Sequence, residues 1–394
     1  MKYIRNSLLT MCFLMMVIIC RRKEERPAYE NISESPGSSF TPAIAVDNNG
    51  KVYIVWADST PGNYEIYFVE KANNGTWTKS MNISNNTLNS HCPFIDVDGL
   101  GNLHVCWWDI SNDTPITRVS YRMRKANGTW DTVEVLGQVS VADSSYNLPR
   151  IICDINNNVY VVWEGGAPMT SLLRYRIKRN SIWSEIMVVP DAPACNPAQL
   201  ATDRWGNLHL VWEGGNYDIL YQMRTPNGDW ENLATLIQGG AYYPLLPDIS
   251  VDGSGVVHIC WCARAGPESR HYIYYTHNKS GTWAEPIKLP MKKTDDLGWY
   301  GIIDSGEDGT LHFIWEDRTK DTTGSYGNAD IYYVRKYPGG AWSEVHNISN
   351  TSGVSYCDVG SIAVDNWGNA HIVWTDDELG NFEVFYLKIP KDSL

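Results

Sequence analysis

Short runs in which apolar and polar residues alternate fill this chain, and one run keeps returning. Asp47-Asn-Asn-Gly50-Lys-Val-Tyr53-Ile-Val-Trp56 recurs as Asp98, Gly101, His104 and Trp107, then as Asp154, Tyr160 and Trp163. It recurs again at Asp203 to Trp212 and Asp252 to Trp261, in a looser form at Gly309 to Trp315, and at Asp365 to Trp374. Alternation of period two predicts strands. The Asp-x-x-Gly corner predicts a tight turn, in which Asp caps backbone donors and Gly takes a positive φ. The fourth repeat gives the whole unit. Residues 197–202 form strand A, 203–206 the turn, 207–212 strand B, 217–224 strand C and 225–228 a hairpin turn, and Trp230 opens strand D.

The repeat tryptophans are 51, 56, 49, 49, 54 and 59 residues apart. A period near 50 residues with four strands per unit predicts an all-β, seven-bladed β-propeller. Seven A–B hairpins occur, but only six strands D follow a turn. The seventh is expected at the other end of the chain. Tyr29-Glu-Asn-Ile-Ser33 matches Met81-Asn-Ile-Ser84 and His346-Asn-Ile-Ser349. The N-terminal strand is therefore expected to close the last blade against the strand holding Phe385 and Tyr386, leaving no free ring edge. Residues 27–394 then make one domain.

Residues 1–26 read as a signal peptide or short membrane anchor. Lys2 and Arg5 precede an apolar run from Ser7 to Cys20, and Arg21, Arg22 and Lys23 follow it. A secreted or cell-surface location is expected. Sequons at Asn31, Asn74, Asn82, Asn112, Asn127, Asn278 and Asn347 agree with export, although Asn-Gly is also ordinary hairpin chemistry. The formal charge is −13, and −17 without residues 1–26, which argues against nucleic acid and against an anionic membrane surface. A monomer is expected. Of the seven cysteines beyond residue 26, Cys260 and Cys262 share one strand face and cannot bridge each other, and most read as small buried residues.

The C–D turns, Asn74-Gly-Thr-Trp77 and Asn127-Gly-Thr-Trp130 with looser copies ending in Trp183, Trp283 and Trp342, resemble a degenerate Asp-box. The chain is thus similar to the sialidase-type, bacterial neuraminidase repeat propellers. That resemblance implies a carbohydrate-active site and, in sialidases, three arginines holding an anionic group. The Arg-Ile-Pro element of those enzymes is missing, and they have six blades rather than seven.

Whatever is copied seven times is scaffold, so function is sought where blades differ. His104, His209, His258, His312 and His371 share one strand-B slot and read as buried, hydrogen-bonded residues. No zinc-ligand spacing occurs, so no metal site is expected. The D–A connections hold His91, Tyr146, Asn147, Asn196, Tyr242, Tyr243, Trp299, Tyr300 and Tyr356, and Trp108 follows strand B of blade 2. Trp108, Tyr242, Tyr243, Trp299 and Tyr300 are candidates for stacking on sugar rings, and Arg150, Arg264 and Arg318 for holding an anion. A ring of carboxylates follows the strand-B tryptophans: Asp58, Asp109, Glu164, Glu213, Glu316, Asp317, Asp376 and Asp377. Glu213 and Glu316 are the candidate catalytic pair, since glycoside hydrolysis needs two carboxylates. Loop capping and solvation is the simplest reading of that ring. No cofactor is expected, calcium being the one ion such a rim could hold. The expected function is a glycan-binding or surface-partner-binding module. A sialidase-like hydrolase and a purely structural surface protein are the alternatives.

Overall fold

The computed structural model describes residues 28–393 except 73, 112–115, 141–147, 166–171, 194–197, 240–242, 266–269, 280, 293–296 and 321–325. Seven antiparallel sheets follow one another along the chain. Each is a blade whose strand A lines a central channel and whose strand D forms the outer edge. A–B and C–D turns share what we term the lower face. B–C and D–A connections share the upper face.

Blade 7 closes as the repeat count requires. Glu30–Asn31 pairs antiparallel with Glu383–Ile389, Glu30 opposite Tyr386 and Asn31 opposite Phe385. Ile32 N donates to Val384 O at 2.7 Å, and the Ile32 side chain is buried in the cluster between blades 7 and 1. The repeated Asn-Ile-Ser now has a physical role. Ser33, Ser84 and Ser349 each accept a strand-C amide, from Val384, Ile66 and Ile331 at 2.9, 2.8 and 2.9 Å. Their hydroxyls donate in turn to Glu383, Glu65 and Asp330. Asn31, Asn82 and Asn347 cap the amides three residues on. Asn74 and Asn127 cap their own C–D turns. In these five sequons the Asn serves the backbone.

Seven apolar clusters sit between successive blades, and each contains one strand-B tryptophan: Trp56, Trp107, Trp163, Trp212, Trp261, Trp315 or Trp374. The C–D tryptophans add edge-on contacts across the same seams, as in Trp77 on Tyr386 and Trp130 on Phe68. The histidine slot ties strands B and C to the A–B turn of one blade. His104, His209, His258 and His371 join a strand-C tyrosine hydroxyl at Nδ1 (2.7–2.8 Å) to the turn aspartate at Nε2 (3.1–3.3 Å). Where the slot holds Tyr53 or Tyr160, the phenol reaches the same aspartate directly, at 3.1 and 3.2 Å. Six free cysteines are described. Those at 260 and 262 donate to Gly301 and Gly298 carbonyls of the next blade, both at 3.3 Å. No helix among the described residues is long and apolar enough to cross a membrane.

Candidate functional site at the upper mouth of the channel

Strand A begins earlier than the repeat pattern suggests. In blades 1, 2, 5 and 6 its pairing with strand B slips between Phe40 and Ala43, His91 and Phe94, Leu245 and Asp248, and Trp299 and Ile302. Each slip is a β-bulge, and strand A resumes above it. His91, Trp299 and Tyr300 are therefore strand residues rather than loop residues. One residue in each bulge takes a left-handed φ: Thr41 (49°), Cys92 (49°), Leu246 (52°) and Tyr300 (48°). Non-glycine residues pay about 1 kcal/mol or more for that conformation, and such strain concentrates at sites. Here the bulges turn all four side chains into one cavity of about 190 Å³ at the upper mouth.

The floor of this cavity comes from the slot opposite the residue before each strand-B tryptophan. That slot holds Ala43, Phe94 and Ile302 in three blades, but Arg150, Gln199 and Asp248 in blades 3, 4 and 5. Arg150 is only 6% exposed. Its Nε donates to Gln199 Oε1 at 2.9 Å, its Nη1 to Pro149 O at 3.1 Å, and the guanidinium lies 3.9 Å from the Phe94 ring. Among the described residues no carboxylate forms an ion pair with it. Burial pulls its pKa down to about 10, against the nearby Cys92, Cys106, Asp358 and Asp248, so it stays charged at neutral pH. Asp358 lines the same cavity, and among the described residues no hydrogen bond to its carboxylate is seen. Burial raises its pKa and Arg150 counters.

Below this floor lies a chamber of about 290 Å³ lined by Asp96, Asp248 and Asp304. Each tethers the next blade by accepting an amide, from Cys153, Ile303 and Val364 at 2.7, 2.9 and 2.7 Å. Burial pushes Asp248 up to about 7 and Asp304 to about 6.

An arginine–aromatic patch adjoins the mouth on blades 4 to 6. Arg318 lies 5.4 Å from the Trp299 ring, and Trp299 packs 4.0 Å from His271. Arg264 Nε donates to His271 Nε2 at 3.3 Å and its guanidinium sits 5.5 Å from the Tyr243 ring, which meets Tyr217 at 5.1 Å. Burial, with Arg264 and Arg318 beside it, lowers the His271 pKa to about 4, so it accepts as a neutral ring. Glu316 accepts from Arg318 Nη2 at 3.0 Å and from Cys357 N at 3.1 Å. Burial outweighs Arg318 and raises Glu316 to about 7. Burial, Asp358 and Glu316 together raise Tyr300 to about 12, keeping the phenol a donor.

Of the residues singled out in the sequence, Arg150 and Tyr300 line this cavity, while Arg264, Arg318, Trp299, Tyr243 and Glu316 are linked to one another through His271 and Arg318. Trp108 instead sits in blade 2 with His91, at 6.5 Å, and Tyr64 beyond it. Glu213 is buried at the end of strand B of blade 4 and does not line the mouth. Tyr242, Tyr146, Asn147, Cys195 and Asn196 lie outside the described residues. The carboxylate ring is not a solvated rim. Asp58, Asp109, Glu164, Glu213, Glu316, Asp317 and Asp376 are buried, because their loops need caps. Ser39 donates to Asp58 at 2.8 Å, Ser90 to Asp109 at 2.6 Å and Ser355 to Asp376 at 2.6 Å. No group of three His, Cys, Asp or Glu side chains among the described residues is arranged to hold a metal. The sequence reading missed Asp358, Gln199, Thr41 and the role of His271. The available signal was a charged or amide residue in a strand-A slot that other blades fill with Ala, Phe or Ile.

No protein-family model and no curated protein matches the sequence. Solved structures match the fold. An ulvan lyase described as a new family of polysaccharide lyase superposes with a TM-score of 0.62 at 11% identity, covering 93% of this chain and 97% of its own. The same figures hold for its form bound to -[GlcA(1-4)Rha3S]-. The intramolecular trans-sialidase from Ruminococcus gnavus gives 0.50 at 10% identity, covering 93% and 97%. A protein of unknown function from Dyadobacter fermentans gives 0.53 at 11% identity, covering 78% and 95%. The chain therefore has the propeller fold of sialidase-like and polysaccharide-lyase proteins.

Proposed function

We propose that this protein is an exported glycan-binding propeller whose upper mouth takes an acidic sugar chain. One observation carries the reading. Arg150 and Tyr300 line one cavity, and Arg264, Arg318, Trp299 and Tyr243 form a chain of contacts through His271, in an otherwise acidic protein. Guanidinium forks suit carboxylates and sulfates. Flat rings suit sugar faces, and the Asp358 carboxylate and Gln199 amide suit hydroxyls. The fold likeness to a lyase solved with a GlcA–Rha3S ligand and to a trans-sialidase supports a carbohydrate ligand.

The test is calorimetric titration with an oligouronate and a neutral oligosaccharide of the same length. Dissociation constants in the micromolar to millimolar range, roughly 4–8 kcal/mol, are expected for the acidic ligand only. Arg318→Ala should weaken it about tenfold with melting unchanged, and Trp299→Ala should weaken it about tenfold with some loss of stability, because the ring also packs against the seam between blades 5 and 6. Unaltered affinity in both variants would sink the proposal. A hydrolase is the second reading, favoured by Glu316, half-protonated near neutrality, in the electrostatic reach of Asp358. Glycoside turnover by the wild type that is abolished in Glu316→Gln would establish it.

A further inference from the structure

Blade 7 breaks its strand A more deeply than the other blades do. From Tyr356 to Ile362 the chain advances six residues while strand B, from Thr375 to Ile372, advances three. In blades 1, 2, 5 and 6 the same break is three residues against two. The surplus forms a tight turn from Asp358 to Ser361. Asp358 N donates to Ser361 Oγ at 3.0 Å, and Ser361 N donates back to Asp358 O at 3.0 Å. Gly360 takes a φ of 87°, and its carbonyl accepts from Ile44 N of blade 1 at 2.9 Å. Backbone and serine groups thus close the turn and fasten it to the neighbouring blade. None of those bonds uses the Asp358 carboxylate. The turn brings Asp358 to the wall of the mouth cavity.

The other carboxylates around the channel mouth serve the fold. Asp96, Asp248 and Asp304 hold amides of the next blade, Asp58, Asp109 and Asp376 hold serine hydroxyls, and Glu316 holds Arg318. No hydrogen bond to the Asp358 carboxylate is seen among the described residues. The same cavity contains the buried Arg150, which no carboxylate there pairs with. It also contains the buried Thr41 hydroxyl, which among the described residues makes no hydrogen bond beyond a thiol contact with Cys92. Leaving a buried polar group unmatched costs about 1–3 kcal/mol, and more for a charge. Several such groups around one cavity point to a ligand. Phe94, Leu148, Leu246 and Val359 give it apolar walls. At about 30 Å³ per water its volume of about 190 Å³ has room for about six waters, the bulk of one six-membered sugar ring.

The cavity carries charges of both signs. Arg150 attracts an acid group and favours the ionised form of Asp358. A bare anion meets that second charge with nothing to offer it. A sugar acid with a hydroxyl beside its acid group satisfies both, because the hydroxyl donates to Asp358 in a charge-assisted bond. We infer that Asp358 is the specificity-determining residue of the mouth: the cavity is a subsite for one sugar unit, Arg150 takes the acid group, and Asp358 admits it only with a hydroxyl donor on the neighbouring carbon. This inference rests on the acidic-glycan reading and goes beyond it by excluding bare anions and sugar acids that lack that hydroxyl.

Ligand-observed NMR titration of the full chain tests it with the methyl glycoside of a hexuronic acid, the analogue lacking the hydroxyl next to the acid-bearing carbon, and inorganic sulfate. The wild type should bind the first about tenfold or more tighter than either of the others, since a site built to accept a hydroxyl proton rejects a ligand without one. Asp358→Asn keeps the shape and removes the charge. It should narrow that ratio at least about threefold, chiefly through tighter binding of sulfate and the deoxy acid. Equal wild-type affinity for the hexuronide and its deoxy analogue, or an unchanged ratio in folded Asp358→Asn, would overturn the inference and leave the acidic-glycan reading standing. Absence of binding by hexuronides and acidic oligosaccharides alike would overturn both. The wild-type comparison decides even if the variant fails to fold.

Discussion

At the scale of single residues, blade 6 departs from its own repeat. Gly306 stands where the other turns have aspartate, and the Nε2 of His312, fully buried, has no partner. His312 keeps only its bond to Tyr333 at 2.8 Å, and burial with Arg335 nearby lowers its pKa to about 3. A buried donor left unmade costs about 1–3 kcal/mol. Gly306→Asp alone would bring its Cβ within 3.0 Å of the Asp308 carboxylate. Gly306→Asp/Asp308→Asn should therefore raise stability by roughly 1–2 kcal/mol in urea unfolding. A loss of stability would show that the slot is filled by some other means. Asp248 gives a pH signature. Its folded pKa, about 7, lies above that of an unfolded aspartate, so the native state holds the proton more tightly. Its contribution is neutral at low pH and becomes destabilising as pH rises from about 4 to 7. Asp248→Asn should melt higher than wild type at pH 8, with the gain fading by pH 5. The turn aspartates act oppositely. Burial opposes the ionisation of Asp203, but hydrogen bonds from His209 and Asn207 outweigh it and hold the pKa at about 2, so its support is lost below about pH 4.

At the scale of elements, the closing strand is the piece whose loss is felt by the whole ring. A chain beginning at residue 36 loses the pairing with Phe385 and Tyr386, the buried Ile32 and the Ser33 bridge. Its unfolding free energy should fall by about 3 kcal/mol or more, read by thermal or urea melting. Equal stability would mean that the N-terminal strand is an ornament. This element was legible in the sequence because Asn-Ile-Ser recurs in two other blades, where it makes the same bonds between strand D and strand C. Strand A was less legible. Its bulges insert an extra residue at Thr41, Cys92, Leu246 and Tyr300, which breaks the period-two alternation and makes the upper third of the strand resemble loop. The carboxylate ring misled for a related reason. A sequence shows an acidic residue after six of the seven tryptophans but not the strand-A serine that caps it in blades 1, 2 and 7.

At the scale of the molecule, seven similar seams hold the ring, and the seven blades differ most where they converge on the channel mouth. Repetition made the fold readable, since a strand-B tryptophan in every seam leaves one architecture that buries them all. The site is readable only in part. Arginines and surplus aromatics stand out from the repeat, whereas Asp358 and Gln199 gain meaning only when blades 3, 4 and 7 are brought around one axis. The central claim is that this mouth selects acidic glycans. An array carrying uronate, sulfated, sialylated and neutral glycans, probed with the wild-type protein and with Arg318→Ala, tests it most directly. The account predicts wild-type binding confined to acidic glycans, weakened by added salt and about tenfold weaker in the variant. Binding to neutral glycans, or acidic binding of unchanged strength in Arg318→Ala, would contradict it.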